Sequence, residues 1–144
     1  MRLEPLYRAR FATTQSWSVD VEGAHGVEGQ SFLLVEGGCE GRLRAVLRAA
    51  NFPRRRTDGV FTPDFRGVLE TGDGAVILFE WWGYGTTTAN GERRLAGTIT
   101  HLTDDERYRW LNEVVGVLGG KVAARDGGGL DVELDVSELI WEPF

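Results

Sequence analysis

Between Gly67 and Trp82 the chain carries two apolar, β-branched runs on either side of Gly72-Asp73-Gly74. This stretch constrains the fold more than any other. Val68, Leu69 and Thr71 on one side, and Val76, Ile77, Phe79, Trp81 and Trp82 on the other, suit a pleated, half-buried surface. Asp-Gly between such runs supplies the positive φ angles of a tight hairpin turn. A two-residue Asp73-Gly74 loop places Leu69 opposite Leu78 and Glu70 opposite Ile77, with Glu80 on the face of Leu69, Val76, Leu78 and Trp82. A three-residue loop with a bulge reverses that parity. In either register Trp81 and Trp82 point to opposite faces, so one of them leaves the main core.

The remaining segments complete a sheet around this hairpin. Residues 2 to 12 and 17 to 21 alternate as two strands, and Gly23, Gly26 and Gly29 mark a loop after them. Ser31 to Glu36 reads as a strand, with Gly37 to Gly41 as a flexible break or wide bulge. Arg42 to Ala50 could be a helix by propensity, but Leu43, Ala45, Leu47 and Ala49 alternate, and a strand is expected. Tyr84 to Glu92 reads as a turn region and Arg94 to Leu102 as a strand, with His101 on the parity of Leu95 and Ile99. Thr103 and Glu106 have capping-box spacing, which predicts a short helix over residues 104 to 113. Gly116 to Arg125 and Leu130 to Val136 are the last strands; in the latter Leu130, Val132, Leu134 and Val136 alternate with Asp131, Glu133 and Asp135.

About eight short strands at roughly ten-residue intervals, with glycine turns, point to a mainly β fold. The expectation is a single antiparallel β-barrel over residues 1–144, calycin-like or allene-oxide-cyclase-like, with one short helix. Closure removes exposed sheet edges, and an eight-stranded barrel either fills its interior or holds one small ligand. Twenty glycines against four prolines favour such tight turns. A net charge of −6 argues against nucleic acid and anionic membrane surfaces. A single cysteine, Cys39, cannot form an internal disulfide, and no apolar run is long enough to span a membrane, so a cytoplasmic protein is expected.

The run LETGDGAVILFEWWG, preceded by Arg56-Thr57-Asp58-Gly59 and Gly41-Arg42-Leu43-Arg44, resembles the bacterial family catalogued as domain of unknown function 3237. Tyr108-Arg109-Trp110-Leu111-Asn112 and the closing LDVELDVSELIW are similar to its C-terminal half. The resemblance covers roughly residues 30 to 140, and TxDGAxI is its most specific part. It implies a compact antiparallel barrel, often self-associating as a homodimer or higher homo-oligomer, in cytoplasmic bacterial proteins. It brings no agreed activity, so no catalytic residue is carried over. Asn51 to Arg56 and the Trp81-Trp82 pair depart from the family pattern.

No phosphate loop, dinucleotide fingerprint or GxSxG motif is present, and no cofactor is expected. One Cys and two His make a Cys/His zinc site improbable, and no metal ligand is assigned. Arg54, Arg55 and Arg56 with Asp58 and Asp64 could clamp a carboxylate or phosphate; the plainer reading pairs these arginines with the aspartates on a solvated loop. Glu80 with Trp81, Trp82 and Tyr84 could be desolvated into a general acid or base, or simply face solvent. His101 could shuttle protons, or serve as a hydrogen-bonded structural residue. Cys39 is a weak nucleophile candidate. The preferred expectation is a small-molecule site using Arg48, Arg55, Arg56, Asp64, Trp82 and Tyr84 for an anionic or hydroxylated organic ligand. If that site is catalytic, Glu80 and His101 would perform cofactor-free acid–base chemistry such as isomerisation, hydration or cyclisation. The alternative is a non-catalytic β-module acting as an oligomerising or accessory subunit.

Overall fold

The computed structural model describes residues 1–143. Ten strands form one antiparallel sheet: β1 (Arg2–Gly23), β2 (Gly26–Gly41), β3 (Ala45–Asn51), β4 (Arg54–Arg55), β5 (Phe61–Thr62), β6 (Asp64–Thr71), β7 (Val76–Thr87), β8 (Arg93–Leu102), β9 (Gly116–Ala124) and β10 (Leu130–Ile140). Eight of them close a ring, in the order β1, β10, β9, β8, β7, β6, β3, β2 and back to β1. Where β3 and β6 end, the short strands β4 and β5 take over the span between β2 and β7. The wall therefore continues past that point, and the barrel-like expectation holds.

The hairpin turn has three residues rather than two. The Thr71 amide donates to the Ala75 carbonyl at 3.1 Å, and Gly74 adopts φ +90°. Leu69 consequently pairs with Ile77 and Glu70 with Val76. Leu69, Ile77, Phe79 and Trp81 turn inward, whereas Val76, Leu78, Glu80 and Trp82 turn outward. The two-residue face assignment is thus corrected by one register step, which moves every side chain of a strand to the other face.

Three other local expectations are revised. The two N-terminal strands are one, β1, with a register shift between Thr13 and Gln15 in place of a gap. Tyr84 to Thr87 continue β7 instead of starting a turn. Gly37 to Gly41 stay inside β2 because the strands approach too closely for side chains: a Cβ on Gly37 would lie 2.0 Å from the Arg10 carbonyl oxygen and 2.5 Å from the Phe11 Cα. Gly37→Ala is expected to cost roughly 1–3 kcal/mol in urea unfolding. Gly72→Ala, in open space, should stay within about 0.5 kcal/mol. Equal effects would show that β2 and β1 do not meet this tightly.

The expected helix shrinks to a single 3₁₀ turn, Arg109–Glu113. Thr103 does not close a capping box: its hydroxyl donates to the Val76 carbonyl (2.8 Å) and accepts the Asp105 amide (3.2 Å). Asn112 brackets the Thr103 backbone from both sides, at 2.8 and 2.9 Å. Tyr108 and Arg107 reach Asp73 in the hairpin loop, each at 3.0 Å. This segment thereby seals one end of the ring, with Leu111 fully buried. Leu6, Leu69, Ile77 and Val136 join it in the core, so that end and the middle are filled by side chains.

Candidate functional site

The opposite end is open. Beyond Ala12, β1 loses its β10 partner and continues as a ribbon with β2, rising above the filled interior. The ribbon, β5 and the start of β8 enclose a cavity of about 240 Å³. Since a water takes about 30 Å³ of liquid, this is room for roughly eight waters, or a one- to two-ring organic molecule. Phe11, Leu33, Phe61, Phe65, Leu95 and Val132 supply its apolar wall. Thr13, Ser16, Ser18, Ser31, Asn51 and Arg93 supply its polar groups.

Each polar group has an identifiable origin. The register shift after Thr13 turns Ser16 and Ser18 toward the cavity and sends Trp17 to the outer face, against Phe32. Ser18 and Ser31 share a 2.7 Å hydrogen bond across the ribbon. Buried Asn51 sits where β3 and β6 end and accepts the Asp64 amide through Oδ1 at 3.0 Å, so its amino group is the donor that remains. Arg125 donates to the Thr13 carbonyl at 2.6 Å, tying the β9–β10 turn to the rim. Arg93 opens β8 on the inward parity of Leu95, Ile99 and His101. Its guanidinium lies 4.3 Å from the Phe61 ring centroid, and burial lowers its pKa.

The sequence candidates are not assembled around this cavity. Glu80 faces outward, with 67% of its side chain exposed and Arg66 at 3.9 Å, so the desolvation asked of it is absent. Trp82 is 61% exposed and packs edge-on against Tyr84, centroids 6.4 Å apart, on the same outer face. Arg48 pairs with Glu70, and Asp64 with Arg66 at 3.8 Å. Arg55 pairs with Asp20 at 3.0 Å. Arg56 grips Asp58, holding that carboxylate down to about pKa 2, and lies 6.0 Å from the Tyr84 ring. Arg54, Arg55 and Arg56 line a separate outer groove with Trp17, Phe32 and Phe52. The arginine loop thus has the plainer arrangement, with two of its three guanidinia neutralised by aspartates.

His101 does point inward, but at the closed end, eight residues along β8 from Arg93. At about 3.4 Å per residue that is roughly 27 Å. It is 5% exposed, and its Nε2 meets the Tyr7 hydroxyl at 2.8 Å while its Nδ1 has no partner among the described residues. Burial lowers its pKa to about 4. Burial likewise pushes the Cys39 thiol up to about 11, which removes it as a nucleophile near neutrality. Among the described residues, no three His, Cys, Asp or Glu are grouped to hold a metal ion, and no helix is long and apolar enough to cross a membrane.

Arg93, Asn51 and the rim serines escaped the sequence reading. Arg93 did carry a signal, its shared parity with His101 in an alternating strand. The serines carried none, because a bulge that reverses parity cannot be located from alternation alone.

Several solved structures share this architecture. A β-barrel-like protein from Acinetobacter baumannii is 24% identical, with 96% of each chain covered and a TM-score of 0.80. A conserved protein of unknown function from Rhodopseudomonas palustris is 16% identical over 96% of this chain and 97% of that one, with a TM-score of 0.76. A structure described as an enzyme from Penicillium herquei is 19% identical over 94% and 93%, with a TM-score of 0.61. At these identities the likeness establishes the fold alone. No curated protein matches the chain. The model of the family described as "Protein of unknown function (DUF3237)" matches residues 1–139, further toward the N-terminus than the motifs that carry the resemblance, and the chain belongs to that family.

Proposed function

We propose that this protein binds one small organic molecule in the open end of its barrel. The observation that carries the reading is the cavity itself: a largely apolar recess with a few convergent polar groups, positioned on strands whose other ends are locked in a filled core. Among the described residues, its walls hold no carboxylate, imidazole, thiol or phenol. Side-chain acid–base chemistry therefore has no agent there, and binding is favoured over turnover. Glu80 on the outer face and His101 at the sealed end are both remote from a guest in the cavity.

Titrating ¹⁵N-labelled protein with small aromatic acids and alcohols should shift amide signals of Thr13, Ser18, Asn51 and Arg93 while leaving Glu80 and Thr100 unmoved. Ser16→Trp, at the exposed rim, should weaken any such guest by at least about tenfold through occupation of the space, without lowering the melting temperature by more than a few degrees. Shifts confined to the outer groove, or none at all, would refute the internal site.

A second reading is supported by a different observation. Val76, Leu78, Trp82, Tyr84 and Leu102 form an exposed, largely apolar strip on the outer face of β7 and β8, interrupted at Glu80 and its partner Arg66. Such a strip suits self-association, in keeping with an oligomerising role. Light scattering over a concentration series, with Trp82→Ser expected to favour the monomer, tests it.

A further inference from the structure

We infer that the cavity selects organic monoanions, a single carboxylate on an apolar body, and that Arg93 is the group that selects them. The inference rests on the proposed ligand site and specifies what it takes.

Arg93 differs from nearly every other arginine of the chain. Apart from Arg54, which lies on the outer surface, the remaining arginines are all paired with carboxylates. This is what a chain with 22 acidic and 16 basic residues should do, since acids outnumber the cations that seek them. Arg93 has no carboxylate partner among the described residues, yet it is half-buried and carries a desolvation cost, visible as its lowered pKa. The guanidinium carbon lies over the Phe61 ring, 4.3 Å from its centroid. This cation–π contact takes up no N–H···O bond, so the guanidinium keeps donors for bidentate bonds to a planar oxyanion.

The surroundings set the ligand's charge and shape. Among the described residues no Asp or Glu lines the cavity, so none of them competes there for Arg93 or repels an anion. Apolar walls of Phe11, Phe65 and Leu95 keep the local dielectric low and strengthen a charge-assisted bond. One cation balances one negative charge; a dianion would bring a second charge into a pocket without a second cation, and a cation would meet Arg93 unscreened. Ser18, Ser31 and Asn51 can hold one further hydroxyl or carbonyl of the guest.

The test uses the matched pair trans-cinnamate and trans-cinnamamide, equal in shape and different in charge, followed by NMR titration and calorimetry on the whole chain. Wild type should bind the acid at least about tenfold more tightly than the amide at low salt. Arg93→Gln should abolish that preference, weakening the acid at least about tenfold more than the amide; Arg93→Lys should retain a reduced preference, because an ammonium keeps the charge but loses the planar fork. Equal binding of acid and amide by wild type, or a preference that survives Arg93→Gln, would overturn the anion selection and leave the ligand site standing. Failure of both compounds to perturb the mouth residues would overturn the ligand site and the selection with it. If Arg93→Gln folds poorly, the wild-type comparison still decides the anion selection, and Arg93→Lys decides the assignment to Arg93: an undiminished preference in that variant would overturn it.

Discussion

Trp81→Ala is expected to destabilise the protein by about 3–5 kcal/mol, whereas Trp82→Ala, one residue on, should change stability by no more than about 0.5 kcal/mol. Trp81 is 2% exposed and stacks on Phe65 with ring centroids 4.3 Å apart and planes 13° apart. Phe65 in turn meets Phe11 edge-on at 5.6 Å. These three rings are the upper layer of the filled core, and Phe65 and Phe11 also line the cavity above it. Removing the indole would leave a void that closed strands cannot collapse to fill, so the lost burial is compounded by a cavity cost. Trp82 has no such surroundings on the outer face. Urea unfolding of the two variants measures the difference, with the midpoint falling for Trp81→Ala at an unchanged slope. Similar losses for both would place Trp82 in a buried interface and so speak for self-association.

Acidification should weaken the fold through His101. Its pKa falls from 6.5 to about 4 because the imidazolium would be desolvated, and in the imidazolium both ring nitrogens are donors while Nδ1 has no partner among the described residues. Between these values the unfolded chain binds a proton at His101 that the folded chain does not. Stability therefore rises with pH in that window: the contribution is intact above about pH 6.5, declines as pH falls, and is lost by about pH 4. The 2.5-unit difference amounts to about 3 kcal/mol. Tyr7, against His101, and the nearby Cys39 are both shifted upward by burial and stay neutral across the window. Asp58 and Asp105, held down to about 2 by their arginine partners, begin to cost stability only below about pH 4. His101→Gln, which can still bond the Tyr7 hydroxyl, should flatten the stability profile between pH 6.5 and 4. An unchanged slope in that variant would assign the acid sensitivity elsewhere.

His101 also shows that the face a residue occupies can be legible in the sequence while its place along the barrel is not. Alternation in Arg94 to Leu102 set it on the inward face, where it lies. Alternation says nothing about which end of a barrel a position occupies, and the 3₁₀ segment seals that end. Glu80 shows the opposite case. One residue more in the hairpin loop than Asp-Gly alone implies moved it from a hypothetical pocket to open water. Both outcomes turn on whole-chain geometry, not on the chemistry of the side chain.

Local physics determined much of this protein before any coordinates. β-branched alternation specified most of the strands, Asp-Gly the central hairpin, glycine spacing several of the other turns, and opposite orientation of neighbouring residues that one of Trp81 and Trp82 leaves the core. Tertiary structure decided the rest: the parity reversal after Thr13, the continuation of β2 through its glycines, the unwinding of the expected helix, and the end of the barrel left open. Those features depend on contacts between residues distant in sequence, such as Arg10 with Gly37, Val76 with Thr103 and Thr13 with Arg125. Period and propensity describe only a residue's immediate neighbours along the chain, so an unpaired arginine above a pocket becomes visible only once the ring has closed.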